Sequence, residues 1–144
     1  MNTNRLTFEQ KDFIYLKGLL NISKYNAFSE EGESLKRLEQ EVKKAEVFEE
    51  YEISKKVIRF NSVVSIEINE RKKMKVQIVK SVLRDLESNK ISVLTPLGSV
   101  LIGNKEGDVV EWHTPSGVRN IKIVHVAQKR RHHEVQATYD RVLR

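Results

Sequence analysis

The 144-residue sequence contains no cysteine. Disulfide bonds, a thiolate zinc site and a thiol nucleophile are therefore excluded, and a reducing cytoplasm is the expected compartment. No apolar run approaches the roughly 18 residues that would predict a membrane span. The first ten residues, MNTNRLTFEQ, lack the apolar core of a signal peptide. We therefore expect a cytoplasmic protein with no membrane association.

Recognisable catalytic motifs are also missing. The sequence has no GxSxG elbow, no P-loop and no dinucleotide fingerprint. His132 and His133 are adjacent, so they point in different directions, whereas a helical metal chelate needs i, i+4 spacing. His113 and His125 fall in or beside predicted strands. We predict no catalytic residue, no metal ligand and no cofactor, and hence a protein that is not an enzyme.

Charge is abundant but unevenly distributed. Residues 1–54 carry a net charge of −3, residues 55–128 carry +6 and residues 129–144 carry +3. The basic clusters Arg71-Lys72-Lys73 and Lys129-Arg130-Arg131 could contact phosphates. However, no aromatic residues are interleaved with them to form a stacking platform, and a solvated basic surface is the commoner meaning. A weak contact with nucleic acid stays an alternative.

The first third of the sequence has helical periodicity. Thr7-Phe8-Glu9-Gln10 fits a capping box. Two short stripes of apolar residues follow at helical spacing. A helix with so short a repeat is not stable alone, so we predict two helices folded into a short antiparallel hairpin of coiled-coil type. The predicted turn is 21–33, and the two apolar stripes are Phe13, Leu16 and Leu20, widened by Ile14 and Leu19, and then Leu35, Leu38, Val42 and Ala45.

Three carboxylates lie close together at or near the predicted hairpin tip, namely Glu30, Glu31 and Glu33. Carboxylates at the start of a helix favour the positive end of its dipole, which is the simpler explanation. The functional alternative is that an acidic tip is presented to a cation or to a basic partner.

From about Lys55 the apolar period changes to two, which predicts strands. Turn residues separate the predicted strands, and one short helix, Pro96–Ile102, interrupts them, with Pro96 at its first position and Gly103 just past its end. We therefore predict an α+β protein with a helical part (1–54), a small antiparallel β domain (55–128) and a basic C-terminal segment (129–144). The predicted strands lie in 56–60, 63–68, 74–78, 91–94, 109–112 and 118–126.

The segment 90–117 carries a resemblance to a known family. It reads KISVLTPLGSVLIGNKEGDVVEWHTPSG. This is similar to the C-terminal domain of the bacterial Gre transcript-cleavage factors, in an Ile-Ser-Val strand, a Thr-Pro-Leu turn into a short helix ending Leu-Ile-Gly, a Lys-Glu-Gly-Asp turn and a Thr-Pro-Ser-Gly turn. About seventy residues, 57–126, fit the domain overall.

The resemblance implies an FKBP-like β domain joined to an N-terminal coiled coil, on a protein that binds RNA polymerase at its secondary channel. In such factors the β domain docks on the channel rim and the coiled coil points into the channel. By position, the residues Thr95, Pro96 and Leu97 match the turn that would meet the rim. Pro96 stiffens this turn, and we expect it to expose Leu97 at a helix start.

The sequence also departs from the family pattern. The Gre hairpin has two helices of about thirty residues, each about 45 Å long, whereas the periodic helices here have about 15 residues and would reach about 22 Å. The family tip pairs an Asp with a Glu, and this turn contains Glu30, Glu31 and Glu33 but no Asp. A short coil makes the sequence more similar to the Rnk-like branch, which is thought to lack cleavage stimulation.

The sequence therefore predicts a regulator that binds RNA polymerase at the secondary channel without stimulating transcript cleavage. The alternatives are an active Gre-type cleavage factor and, on the FKBP-like architecture alone, a prolyl isomerase. An architecture does not confer an activity, and no aromatic-lined pocket is visible in the sequence.

Overall fold

A computed structural model of the protein describes residues 5–22, 30–80 and 89–129. In this part of the chain, helices precede and interrupt a curled β-sheet, which agrees with the mixed α and β content predicted above. In chain order the elements are β1 (Thr7–Glu9), α1 (Gln10–Ile22), α2 (Glu30–Lys43), β2 (Glu46–Phe48), β3 (Val63–Ile68), β4 (Lys72–Val79), β5 (Lys90–Ser92), α3 (Pro96–Leu101), β6 (Val109–Thr114) and β7 (Gly117–Ala127).

The main sheet has five strands in the order β5-β4-β3-β7-β6. Strand β3 is antiparallel to β4 and β7, and β6 is antiparallel to β7. Strand β5 instead runs parallel to β4, so the expectation of a purely antiparallel sheet is wrong at this edge. The chain between Val79 and Lys90 is too long for a tight hairpin, and turn residues therefore could not fix the direction of β5.

A β-bulge changes which side chains of β7 face the core. The register between β7 and β3 shifts between Ser65 and Ile66. Ile121 and Ile123 are buried, but the next buried side chain is Val126, and His125 is exposed. Strict alternation over 118–126 would have placed His125 on the face of these isoleucines, but a bulge inserts one residue and reverses the alternation.

The first third of the chain contributes a second, two-stranded sheet. Strand β1 pairs in parallel with β2, and the Thr7 amide also donates to the carbonyl oxygen of Gly103 at 2.9 Å. The predicted capping box is wrong because Thr7 lies in this strand. Helix α1 is capped by Glu9, whose carboxylate accepts from the amides of Lys11 at 2.9 Å and Asp12 at 3.1 Å.

The apolar stripes of the two long helices face a common core. Helix α2 packs against α3 as well as against α1. Two details differ from the prediction: Ile14 is 61% exposed, and the turn is shorter than 21–33 because α1 ends at Ile22 and α2 begins at Glu30. The connection lies outside the described residues, and the coiled-coil hairpin stays a prediction. The buried members are Leu16 and Leu20 of α1 and Leu35, Leu38 and Val42 of α2.

The predicted strand at 56–60 does not form. This segment makes an isolated bridge between Val57 and Lys105, and Ile58 exchanges hydrogen bonds with the loop after α3. Its apolar side chains are nevertheless buried, but without alternation, since Val57, Ile58 and Phe60 are at most 1% exposed and Arg59 between them is buried too.

One continuous core joins the helices to the sheet. The division at residues 54 and 128 stays a prediction. Among the helices that the structure describes, none has the length and apolar character required to cross a bilayer.

Candidate functional site

The turn between β5 and α3 is held by a local network of hydrogen bonds. Thr95 caps α3, because its Oγ1 accepts from the Gly98 amide at 3.1 Å. The same hydroxyl donates to the Ser92 carbonyl oxygen at 2.7 Å, and the Ser92 hydroxyl accepts from the Leu94 amide at 3.0 Å. Ser99 donates to the Pro96 carbonyl oxygen at 2.9 Å. The turn is therefore a rigid surface feature, as docking requires.

The three residues predicted to contact a partner differ in accessibility. Thr95 and Pro96 are half-buried, and both present part of their surface to solvent. Leu97 is only 9% exposed and belongs to the core. The expectation that Leu97 is exposed at the helix start is wrong, because the second residue of α3 points back towards the sheet. A partner that contacts this turn can reach Thr95 and Pro96, whereas Leu97 packs in the core and stabilises the turn.

A groove of about 390 Å³ is lined by residues of α2, α3 and β6. Helix α2 forms one wall and strand β6 the other, with Val100 and Asn104 between them. Val109, at the start of β6, is 56% exposed beside this groove. Partly exposed valines along a rigid groove can accept the apolar part of another protein.

The acidic residues predicted at the hairpin tip lie at the start of α2. Glu30, Glu31 and Glu33 are in its first turn, and Glu33 is exposed. The side chains of Glu30 and Glu31 lie outside the described part of the structure. Among the described residues, no group of three or more carboxylates, histidines or cysteines is arranged to hold a metal ion.

A buried arginine joins the helical part to the sheet. The Arg59 Nε donates to Asp12 Oδ2 at 3.2 Å, and its Nη2 donates to Glu9 Oε1 at 3.3 Å. Glu50 is bound by both terminal nitrogens, at 3.2 and 2.7 Å. The side chains of Arg59, Glu9 and Asp12 are 8%, 4% and 4% exposed, whereas that of Glu50 is 64% exposed. We call these four residues the Arg59 cluster.

The carboxylates around Arg59 favour the charged form of its guanidinium. Burial alone would lower the pKa of this guanidinium, but hydrogen bonds and the charges of Glu50 and Asp12 outweigh the burial and raise the pKa above its ordinary value. This cluster was not predicted from the sequence, because residues 56–60 were expected to form a strand. A charged residue within an apolar run, after an acidic first third, was the available signal.

The carboxylate of Glu106 stabilises the end of β7. Glu106 Oε1 accepts from the Val126 amide at 3.0 Å and lies 3.0 Å from His125 Nδ1. The Val126 amide is the main cause that lowers the pKa of Glu106; burial opposes it, and the charges of His125 and Lys56 add to the lowering. The Lys-Glu-Gly-Asp turn thus has a structural function in holding β7.

These features define a class of protein in which a curled five-stranded sheet presents a rigid turn and carries two helices fixed to its side. The family profile described as "Transcription elongation factor, GreA/GreB, C-term" matches residues 53–128, which is more than half of the chain. The protein belongs to the GreA/GreB family of bacterial transcription elongation factors.

Individual relatives agree with this assignment. The chain is 33% identical over 93 residues to transcription elongation factor GreA of Bartonella henselae, covering 64% of this chain and 59% of the relative. It is 36% identical over 93 residues to GreA of Syntrophus aciditrophicus, covering 64% and 58%. The chain thus spans just under three fifths of the length of these curated relatives.

A solved structure is similar over a larger part of the chain. The prokaryotic transcription elongation factor GreA/GreB from Nitrosomonas europaea superposes with a TM-score of 0.70 at 29% identity. The superposition covers 87% of this chain and 99% of that chain. Since the family profile covers only residues 53–128, the structural similarity extends well into the helical part.

Proposed function

We propose that this protein binds RNA polymerase at the rim of the secondary channel and regulates transcription there without stimulating transcript cleavage. Membership of the GreA/GreB family supports the polymerase as the partner. The turn at Thr95 and Pro96 is proposed as the contact with the rim, because it is rigid and partly exposed.

The short helices are the observation that carries the second half of the proposal. Helix α1 has 13 residues and α2 has 14, which corresponds to about 20 Å each at 1.5 Å per residue. A pair of helices this short does not match the roughly 45 Å that the resemblance to cleavage factors implies. The length of these helices is the reason for assigning the protein to the short-coil, Rnk-like branch in this proposal.

Binding is tested by capturing core RNA polymerase on the immobilised protein and comparing Pro96→Glu with Pro115→Glu. Glutamate is tolerated in the first turn of a helix, so Pro96→Glu should fold while placing a charge in the proposed contact. We expect binding to weaken by about tenfold or more, as for other residues at the centre of an interface. Pro115 is the only other proline of the chain and lies in the exposed β6–β7 turn, so Pro115→Glu should bind normally. Equal binding of both variants would remove Pro96 from the contact, and failure of the unmodified protein to bind would refute the proposal.

The absence of cleavage stimulation is tested on stalled elongation complexes. We expect no shortened transcripts after addition of the protein, whereas a Gre-type cleavage factor added in parallel should shorten them. In a mixture, this protein should suppress the shortening, because both would occupy one channel. Shortened transcripts with this protein alone would contradict the proposal.

An active cleavage factor is the second candidate, and the carboxylates at the start of α2 are the observation that favours it. In that case Glu30, Glu31 or Glu33 would help to hold a magnesium ion of the polymerase. The triple change to glutamine would then abolish transcript shortening but leave polymerase capture intact.

A further inference from the structure

Arg59 is connected to the start of α1 through the carboxylate that caps this helix. Glu9 Oε1 accepts from the Asp12 amide at 3.1 Å and from Arg59 Nη2 at 3.3 Å. Asp12, in the first turn, binds Arg59 Nε. The guanidinium thus holds the start of α1 at two points, the capping residue Glu9 and Asp12 in the first turn, and two points define the direction of a helix better than one.

The backbone of Arg59 is connected equally firmly to the sheet. Its amide donates to Ser62 Oγ at 2.7 Å, and the Ser62 hydroxyl donates to Gln128 Oε1 at 2.8 Å. Gln128 Nε2 donates in turn to the Val57 carbonyl oxygen at 2.7 Å. These bonds join the segment before β3 to the end of β7, so the backbone of Arg59 is fixed relative to the sheet.

An arginine is required for this arrangement by its geometry. A guanidinium is a planar fork whose donors can reach several carboxylates at once, whereas a lysine ammonium is a single point on a flexible stem. Glu50 is the exposed partner, and its contribution is therefore screened by solvent more than the contributions of Glu9 and Asp12.

We propose that Arg59 is a positioning residue: it sets the direction of the α1–α2 pair relative to the sheet. This inference rests on the proposed function, in which the sheet docks on the polymerase and the helices occupy the channel. A docked sheet with misdirected helices would bind the polymerase but would not exclude a competitor from the channel.

The test measures the direction of the helices and their competition separately. Because the chain has no cysteine, Lys36→Cys on α2 and Lys75→Cys on β4, both exposed, allow two spin labels to be attached selectively. Distances between the labels are measured by pulsed electron paramagnetic resonance in the otherwise unmodified protein, in Arg59→Lys and in Glu50→Gln. Arg119→Lys, on β7 beside Trp112, is the matched control. All measurements are made below the unfolding transition of each variant.

We expect one narrow distance distribution for the reference and for Arg119→Lys, a clear broadening for Arg59→Lys and a smaller broadening for Glu50→Gln. Polymerase capture should be unchanged in Arg59→Lys, whereas its suppression of a Gre-type cleavage factor should fall by about tenfold, since small misplacements of functional groups have effects of this order or larger.

Two results would overturn the inference: a distribution in Arg59→Lys as narrow as the reference, which would mean that core packing alone directs the helices, or broadening with undiminished competition. Failure of the reference protein to bind polymerase would instead refute the proposed function, and the distance measurement would still decide the role of Arg59.

Discussion

The hydroxyl of Thr95 makes two hydrogen bonds, and one substitution can remove both of them while keeping the size of the side chain. It accepts the Gly98 amide and donates to the Ser92 carbonyl oxygen, so it closes the turn on both sides. Valine has nearly the same shape but neither capability. Side chains that carry such bonds at a helix start stabilise a protein whether or not a partner also contacts them.

We expect Thr95→Val to lower the free energy of unfolding by about 1 kcal/mol, with 0.5–2 kcal/mol as the usual range for a lost cap. Thr95→Ser should restore most of it, because serine keeps the hydroxyl. Urea denaturation of both variants measures the difference. A loss that serine does not restore would mean that the threonine methyl group, and not the hydroxyl, stabilises the turn.

Glu106 predicts a pH dependence of stability. Its pKa in the folded protein is lowered from the ordinary value of 4.5, chiefly by the Val126 amide. A lowered folded-state pKa means that the contribution to stability is complete above the unfolded-state pKa and is lost as the pH falls through the folded-state pKa.

The stability advantage of the unmodified protein over Glu106→Gln should therefore be constant near neutral pH and shrink below about pH 4.5. Thermal unfolding measured between pH 7 and pH 3 would show this convergence. Glu111→Gln, the same change on the neighbouring strand β6, is the control. An advantage that grows on acidification would contradict the assigned sign.

At the scale of elements, two glycines in helices differ in whether the packing around them leaves room for a side chain. A Cβ added at Gly98 in α3 would overlap the carbonyl oxygen of Ser92, whereas a Cβ at Gly18 in α1 would meet no atom within 4 Å. The close approach of α3 to the end of β5 therefore depends on glycine at one position and not at the other.

We expect Gly98→Ala to destabilise the protein by about 1–3 kcal/mol or more, because backbone must shift to relieve the overlap. Gly18→Ala should stabilise it by roughly 0.5–1 kcal/mol, since alanine loses less backbone freedom in a helix. Chemical denaturation of the two variants side by side measures both effects. Similar changes in the two variants would contradict the close packing of α3 on Ser92.

Regular periodicity made most elements predictable from the sequence. Strands β3, β4, β6 and β7 and helix α3 were predicted close to their observed bounds, and the Thr-Pro-Leu turn was found through its resemblance to a family. The short strands β1 and β2 were not predictable, because three residues carry too little pattern and their pairing joins distant parts of the chain. The position of the charged Arg59 depends on partners up to 50 residues away, which no local pattern encodes.

At the scale of the whole molecule, the helices and the sheet share one core. Phe8 of β1 is 2% exposed and packs beside Gly103, which follows α3 and has a φ of +82°. We therefore expect the helical part and the sheet to unfold in a single transition.

The single tryptophan, Trp112 of β6, reports on the sheet, and the far-ultraviolet circular dichroism reports on the helices. The two transitions should coincide in denaturant. Phe8→Ala should shift both together and cost about 3–5 kcal/mol, as for other buried phenylalanines, whereas Phe48→Ala, at a partly exposed site, should cost less. Separated transitions, or a shift in the helical signal alone, would show two independent folding units.

The hydrogen bond from Thr7 to Gly103 also has an evolutionary consequence. The family profile matches a module that begins at residue 53. Strand β1, which bonds to the residue that follows α3, lies outside this module, near the start of the chain. A gene fusion that copied only the recognisable module would leave this strand behind. The five-stranded sheet and strand β1 should therefore have been inherited together. Exchange of parts between members of the family should be easier at the outer ends of the helices than at the boundary that the sequence suggests.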